Sequence, residues 1–287
     1  MHMIKLPQKC NYIGVFLTFR CNLGCSYCIN RFGEFNMAQE ASTERWIEGL
    51  SKIPTRIDLP ITLQGGEPTM HPGFYEIVTE LYRRGKYMDL LTNGMFDVKE
   101  FCERVNPLVF ERGRVAKYAT VRFSYHLKTN PSILLRNVEY MKEKGYSVGI
   151  WGLDYPGMKS QNREMEKKCR ERGIEWRMKE FLGWYDRRLY GTYKYEGAIE
   201  GKRETVMCRT SELLIDPTGE IYRCHRDLYK GIGGIGNILE GRYVSPFLWR
   251  VCHNFGECNP CDVKIKYNRF QEWGHCSVEI RRRDRNV

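Results

Sequence analysis

Three cysteines, Cys21, Cys25 and Cys28, stand within eight residues in the spacing C-x3-C-x2-C. Thiolates held this close on one loop are placed to grip a single metal cluster. A [4Fe–4S] cube has four irons, and complete ligation by protein takes four thiolates. This loop supplies three, so one iron stays open to a non-protein ligand unless a fourth thiolate joins. Zinc with a distant fourth ligand fits the same spacing. A disulfide framework is disfavoured, because Met1 to Lys9 carries no apolar signal region and the chain is 287 residues long.

Composition narrows the setting. Apolar residues make up 42% of the chain, enough for a real core. No run of eighteen apolar residues exists, so no membrane span is expected and the reading is a cytoplasmic protein. Twelve cysteines in a reducing compartment point to metal. The net charge of +11 raises an anionic partner. The basic residues are scattered, which reads as a solvated surface, and Arg281-Arg282-Arg283-Asp284-Arg285 reads as a frayed tail.

The elements that must position the cysteines follow from apolar spacing. Ile13 to Phe19 is a continuous apolar run, as in a strand buried on both faces, and the cysteine loop follows it directly. Helix and strand patterns then alternate. Trp46, Ile47, Leu50 and Ile53 mark a helix, Ile57 to Leu63 a strand, and Phe74, Ile77, Val78 and Leu81 one helix face. Tyr87 to Leu91 is a strand, Val98 to Val105 a helix, Tyr118 to Tyr125 a strand, and Leu134 to Met141 a helix. Tyr146 to Leu153, Arg163 to Arg172 and Ile174 to Leu182 complete the series as strand, helix and strand. Gly85, Gly145 and Gly173 stop three of the helices. Six β/α units predict an α/β protein with a parallel sheet, an open TIM-like (β/α)6 partial barrel. Cys102 and Cys169 fall on apolar helix faces and read as packed core thiols.

Residues 183–207 break the alternation and read as a connector between a barrel over 1–182 and a C-terminal unit over 208–287. Asp216-Pro217-Thr218-Gly219 has the residues of a type I turn between two short apolar strands. It predicts a β-hairpin with Cys208 and Cys224 near its open end. Cys258 and Cys261 form a C-x2-C pair, and Cys252 and Cys276 are left over. Four thiolates from a hairpin base and a C-x2-C turn suit either a second [4Fe–4S] cluster or structural zinc, the latter with His253 and His275 nearby in sequence.

Tyr27 precedes the last cysteine of the first loop, and the second strand ends in Gln64-Gly65-Gly66-Glu67-Pro68. The motif C-x3-C-x-aromatic-C after an apolar strand, with this Gly-Gly-Glu-Pro stretch some forty residues on, resembles the signature of the radical S-adenosylmethionine (SAM) enzymes. The resemblance implies that SAM chelates the open iron through its amino and carboxylate groups. An electron from the cluster then cleaves the sulfonium to methionine and a 5′-deoxyadenosyl radical. It implies the partial barrel as well. It places Gly65, Gly66, Glu67 and Pro68 at the SAM ammonium, Thr92 and Asn93 of Thr92-Asn93-Gly94 at the cofactor rim, and Ser124 at the methionine or ribose. Apolar contact to the adenine falls to Val148 or Ile150, and His126 is a candidate to face substrate. The spacing Cys208-x10-Gly219-x4-Cys224 resembles the family's auxiliary-cluster extension, the SPASM or twitch domain. Because Tyr267 stands where a full SPASM domain continues with cysteine, the shorter twitch form is expected, with one auxiliary cluster on Cys208, Cys224, Cys258 and Cys261.

An open cluster paired with a closed one predicts hydrogen abstraction followed by two-electron oxidation. Too little chain precedes Cys21 for a leader-binding domain, which favours a small polar metabolite over a peptide as substrate. Redox-neutral epimerisation is a third outcome, with Cys252 or Cys276 as hydrogen donor. Flavodoxin or ferredoxin is the expected electron donor. The competing class is a zinc-bearing nucleic-acid-binding protein, against which stands the absence of any nucleic-acid motif.

Overall fold

The structure is a computed structural model that describes residues 3–30, 39–111, 118–266 and 275–282. Tyr267 and the tail residues Arg283 to Arg285 lie outside the described residues. The first two thirds alternate strand and helix: β1 (Tyr12–Phe16), α1 (Thr43–Ser51), β2 (Ile61–Gln64), α2 (Phe74–Arg83), β3 (Met88–Thr92), α3 (Val98–Arg104), α4 (Leu108–Glu111), β4 (Val121–Tyr125), α5 (Pro131–Glu143), β5 (Val148–Asp154), α6 (Lys159–Glu171) and β6 (Glu175–Glu180). Strands β1 to β6 are parallel and adjacent in chain order. This is the open, partial-barrel arrangement that six β/α units predict.

The register shows why the sheet holds. Val15 pairs with Leu63, Leu63 with Leu90, Leu90 with Val121, and Val121 with Val148, one apolar line across five strands. This line packs against Trp46, Leu50, Phe74, Ile77, Phe101, Leu134, Val138 and Met165 from the helices, all inside one buried core. Caps set the helix starts: Asp97 accepts from the N–H groups of Lys99 and Glu100, and Asn130 from those of Ser132 and Ile133, with Pro131 in the first turn. Cys169 is fully buried in this core and Cys102 packs against it, as their helical spacing predicts.

Several boundaries differ from the sequence pattern: β1 ends at Phe16 rather than Phe19, and α6 begins at Lys159 rather than Arg163. β2 begins at Ile61 because Ile57 is exposed in a tight bend closed by a bridge between Arg56 and Leu59. β4 begins at Val121, since Tyr118 turns its hydroxyl to Asp89. β6 stops at Glu180, before the hairpin of β7 (Gly183–Tyr185) and β8 (Arg188–Tyr190).

The remaining elements are β9 (Glu204–Thr210), β10 (Glu212–Ile215), β11 (Glu220–Tyr222), α7 (His225–Lys230), β12 (Gly236–Asn237), β13 (Arg250–Phe255), α8 (Pro260–Val263) and β14 (Val278–Arg282). The stretch 183–207, read as a connector, therefore holds β7, β8 and the start of β9. The signal for β9 was its alternation, with Val206, Cys208 and Thr210 buried between less buried neighbours.

The Asp216 turn forms as expected: Gly219 N–H donates to Asp216 C=O at 2.9 Å, and Asp216 Oδ1 accepts from the N–H of Thr218 at 2.9 Å. Its hairpin β10–β11 is, however, part of the barrel sheet. Fully buried β10 pairs in parallel with β1, and the sheet runs β12-β11-β10-β1-β2-β3-β4-β5-β6. The free edge of β1 is thereby closed by the apolar run Leu213, Leu214 and Ile215. The separate C-terminal layer is the antiparallel sheet β13-β9-β14.

Candidate radical SAM site

The cysteine loop leaves the C-terminal end of β1. Its two ends are tied by one clamp: the Arg20 guanidinium donates to Glu40 Oε1 at 2.9 Å and to Glu40 Oε2 at 2.8 Å, and to the Met70 carbonyl at 2.9 Å. Thr18 Oγ1 donates to the same carboxylate and accepts from the Arg20 N–H at 2.9 Å. Within the loop Cys21 is exposed, while Cys25 and Cys28 are half-buried and close a turn through the Cys28 N–H and the Cys25 carbonyl at 3.1 Å. Burial raises the pKa of the Cys21 and Cys25 thiols, so a bound cation is what would hold them as thiolates. Among the described residues no three His, Cys, Asp or Glu side chains close round a single ion. A cubane makes no such demand, because each thiolate takes a different iron.

Gly65 and Gly66 lie directly on this loop. The Gly66 N–H donates to the Thr18 carbonyl at 3.0 Å and the Glu67 N–H to the Arg20 carbonyl at 2.8 Å. A Cβ on Gly65 would sit 2.4 Å from the Thr18 oxygen, and one on Gly66 only 2.0 Å from the Arg20 oxygen. Gly65 also takes φ +138°, which only glycine adopts readily. The pair is thus required for close backbone approach to the segment Thr18 to Arg20 that leads into Cys21. The Gly65 carbonyl, expected to face the cofactor, accepts from Asn30 Nδ2 at 3.2 Å.

Glu67 is fully buried. Its Oε1 accepts from the Thr69 N–H at 3.2 Å, Thr69 Oγ1 at 2.8 Å and Thr92 Oγ1 at 2.9 Å, and its Oε2 from the Asn93 N–H at 2.7 Å. Burial pushes this carboxyl up, and the four donors oppose that. The carboxylate therefore welds the Gly-Gly-Glu-Pro turn to the Thr92-Asn93-Gly94 turn, a correction to its placement at the cofactor, while Pro68 is buried in the single 3-10 turn that follows. Glu67→Gln replaces one acceptor oxygen by a donor facing donors. The expected result is a stability loss of about 1–3 kcal/mol in urea unfolding. An unchanged midpoint would refute the welding role.

Asn93 completes the unit. Its Nδ2 donates to Asn22 Oδ1 at 2.7 Å and points at Cys21 Sγ at 3.7 Å, while Asn22 Nδ2 donates to the Met95 carbonyl at 2.6 Å. The two turns and the cysteine loop form one hydrogen-bonded lattice. Asn22, which the sequence reading passed over, is its centre; nothing in its spacing marks it.

Tyr27 turns to the β4–β6 side. Its hydroxyl accepts from the Leu127 N–H at 2.9 Å and lies 3.3 Å from His126 Nδ1. Burial, helped by nearby Lys179, lowers the His126 pKa to about 4, so the imidazole that pairs with that hydroxyl is neutral. His126 is thus engaged with Tyr27. Tyr27 begins a run of rings: Tyr155 at 4.5 Å between centroids, then Phe181 at 5.1 Å and Tyr185 at 5.2 Å from Tyr155.

Ser124 is half-buried and paired with Trp151, on the face opposite Phe123. Ile150 and Val148 need correction as adenine contacts. Both are buried in the core shared with the helices, Ile150 with no exposure at all. Alternation along β5 gives them to the helix side and Gly149 and Trp151 to the other.

In the C-terminal unit Cys208, Cys224 and Cys258 meet in one small core with Ala198, Val206, Phe255, Val263 and Val278, and Cys252 packs there too. Cys261 lies in α8, where Asn259 Oδ1 accepts its N–H at 2.9 Å. Cys276 is buried and donates to the Val263 and Lys264 carbonyls at 3.3 and 3.2 Å. His253 pairs with Thr205 at 3.0 Å, and His275 with Asn11 at 2.6 Å and Ser211 at 3.0 Å. Behind the thiols, Asp262 Oδ1 accepts from the His225 N–H at 2.8 Å and pairs with its Nδ1 at 2.9 Å, while buried Glu212 holds Lys266 and accepts from Ser277 Oγ at 2.7 Å. These contacts lock α7 and α8 together.

Comparison with known proteins agrees with the geometry. The pattern described as "Radical SAM superfamily" matches residues 15–172, more than half of the chain. The PqqA peptide cyclase of Ruegeria pomeroyi is 33% identical over 79 residues, 28% of this chain and 21% of the cyclase. That of Methylorubrum extorquens is 35% identical over the same length. Among solved structures, Streptococcus suis SuiB bound to S-adenosylmethionine superposes with a TM-score of 0.57 at 13% identity, covering 83% of this chain and 64% of SuiB. Native anSMEcpe with bound AdoMet and Cp18Cys peptide gives 0.52 at 16%, covering 80% and 77%. The chain thus spans about a fifth of the curated cyclases it matches and just under two thirds of SuiB. No described helix is long and apolar enough to cross a membrane. On the strength of the match over residues 15–172, this protein belongs to the radical SAM superfamily and is an enzyme that uses that family's [4Fe–4S] cluster and S-adenosylmethionine.

Proposed function

We propose that this enzyme modifies a peptide, with Cys21, Cys25 and Cys28 holding the cluster and the Asn22–Asn93–Glu67 lattice fixing the loop that carries them. When bound, the cluster and SAM supply a 5′-deoxyadenosyl radical that removes a hydrogen atom from substrate. The chain's own contribution is placement. Asn93 and Asn22 orient the loop, Tyr27 and Tyr155 wall one side, and Phe16, Phe19, Leu228 and Tyr229 pack a dry cluster behind it.

The observation that carries the peptide reading is the open flank of the sheet. The strand order ends at β6, and beside it the rings of Tyr155, Phe181 and Tyr185 lead from Tyr27 to the surface hairpin, where Trp184 is 57% exposed. An extended chain reaches the cysteine loop along this flank without threading a closed barrel. PqqA peptide cyclase, SuiB bound to its precursor peptide SuiA, and anSMEcpe with a bound peptide support the same substrate class over the small metabolite favoured from the sequence. Thiolates of the C-terminal unit hold an auxiliary cluster that takes up the substrate's second electron, and flavodoxin or ferredoxin supplies the reducing electron.

The test uses short peptides encoded beside the gene, synthesised with deuterated side chains and incubated anaerobically with enzyme, SAM and reductant. Deuterium in 5′-deoxyadenosine, with a peptide product lighter by two hydrogens and one SAM spent per product, is expected. Solvent deuterium at the peptide carbon with unchanged oxidation state would establish epimerisation instead. Transfer only from a deuterated sugar or aminocyclitol would overturn the peptide reading.

A further inference from the structure

The C-terminal unit carries six thiols, Cys208, Cys224, Cys252, Cys258, Cys261 and Cys276, and the sequence spacing assigns Cys208, Cys224, Cys258 and Cys261. We propose that Cys252, on β13, is a ligand of the auxiliary cluster in the position that the C-x2-C spacing gives to Cys261. The proposal rests on the reading that the C-terminal unit holds such a cluster.

The register of the small sheet carries the argument. β9 and β13 are antiparallel, with Cys208 opposite Arg250 and Val206 opposite Cys252. Side chains alternate along β9, so buried Cys208 and Val206 share a face, while Met207 and Arg209 turn away. Directly opposed residues point to the same side of a sheet. Cys252 therefore lies on the Cys208 face, at the diagonal position, about 7–8 Å away by backbone geometry and closer at the side chains. The exposure of β13 agrees, since Cys252 is half-buried between exposed Val251 and His253.

What covers this face decides the set. Cys224, Cys252 and Cys258 all pack against the core that contains Cys208. Cys208 and Cys258 each lie within electrostatic reach of Cys252, and Cys258 within reach of Cys208. Cys261 sits on α8 within electrostatic reach of Tyr193 at the edge of that core, and the charged groups acting most strongly on it are Lys264, Lys266, Asp262 and Glu212. It also acts on Tyr229, which feels Cys28 of the first loop as well. Cys252 thus lies with Cys208 and Cys258 on the covered face of the small sheet, whereas Cys261 stands on α8. On binding iron, the Cys252 thiol loses its proton to solvent and forms one iron–sulfur bond, with no change of oxidation state required.

The test begins from the variant Cys21→Ala, Cys25→Ala, Cys28→Ala, reconstituted anaerobically, which should hold about four irons, one cubane. Adding Cys252→Ala is expected to drop iron below about one per chain, whereas adding Cys261→Ala keeps about four with the reduced-state EPR signal unchanged. Serine variants cover the case in which both alanine variants lose iron. Serine at a ligand shifts the g values, and serine at a neighbour leaves them in place. An unshifted signal in Cys252→Ser, or a shifted one in Cys261→Ser, overturns the assignment. Zinc or no metal in the starting triple variant overturns the auxiliary-cluster reading itself, and the assignment with it.

Discussion

Cys25→Ala is expected to reduce SAM cleavage under reductant to the background of enzyme-free controls. The side chain is half-buried on a loop whose ends are fixed elsewhere, by Arg20 on Glu40 and by the Gly66 and Glu67 N–H groups on the Thr18 and Arg20 carbonyls. Losing it leaves that frame standing and removes one of three thiolates. Anaerobically reconstituted protein should fall from about eight irons to about four, because each cubane contains four. The far-ultraviolet dichroism should not change. Release of 5′-deoxyadenosine by this variant would mean that the loop does not hold the SAM cluster.

Gly66→Ala should be as damaging without touching a ligand. A methyl group at this position lands 2.0 Å from the Arg20 carbonyl oxygen and 2.5 Å from that of Phe19. Both obstacles are backbone, so neither can rotate away. The second turn must lift off the cysteine loop, breaking the bonds from Gly66 to Thr18 and from Glu67 to Arg20. Expected are a destabilisation of about 3 kcal/mol or more and loss of the SAM cluster's iron, with the auxiliary iron retained. Gly24→Ala in the cysteine loop is the control. Its methyl group would meet only Lys128 Nζ at 3.5 Å, the far end of a flexible side chain, so stability and iron content should match the parent. Equal tolerance at both positions would disprove the close-approach role of Gly66.

Gly65 and Gly66 show what the sequence discloses and what it withholds. A Gly-Gly pair after an apolar strand reads by itself only as a tight turn; the family resemblance singled out Gly65 and Gly66, and their close approach to the cysteine loop is visible only in space. Carbonyls open to a ligand and backbone pressed against a neighbouring loop make the same demand on residue type. The strands β1 to β6 and their helices were legible because burial on one helix face, or on both strand faces, writes a period into the chain. The same complete burial hid which side of β5 Ile150 faces, since Val148 to Trp151 are all buried and the alternation leaves no trace. Glu67 was legible as a motif residue, whereas its partners Thr92 and Asn93, and Asn22 bonded to Asn93, converge only after three loops meet in space. Cys252 looked superfluous for a similar reason: its neighbour Cys208 is set by strand register, which sequence separation does not reveal.

The pairing of β10 with β1 places the chain's early and late segments in one ladder, with Tyr12 opposite Glu212 and Val15 opposite Ile215. The strand that launches the cysteine loop therefore stays unpaired on one edge until roughly two hundred further residues have been made. During synthesis that edge is a template for wrong partners, and its loop has only one flank to brace it. A chain cut short before β10 would therefore leave that edge of β1 open, so the loop launched from β1 depends on a segment made about two hundred residues later for a finished sheet.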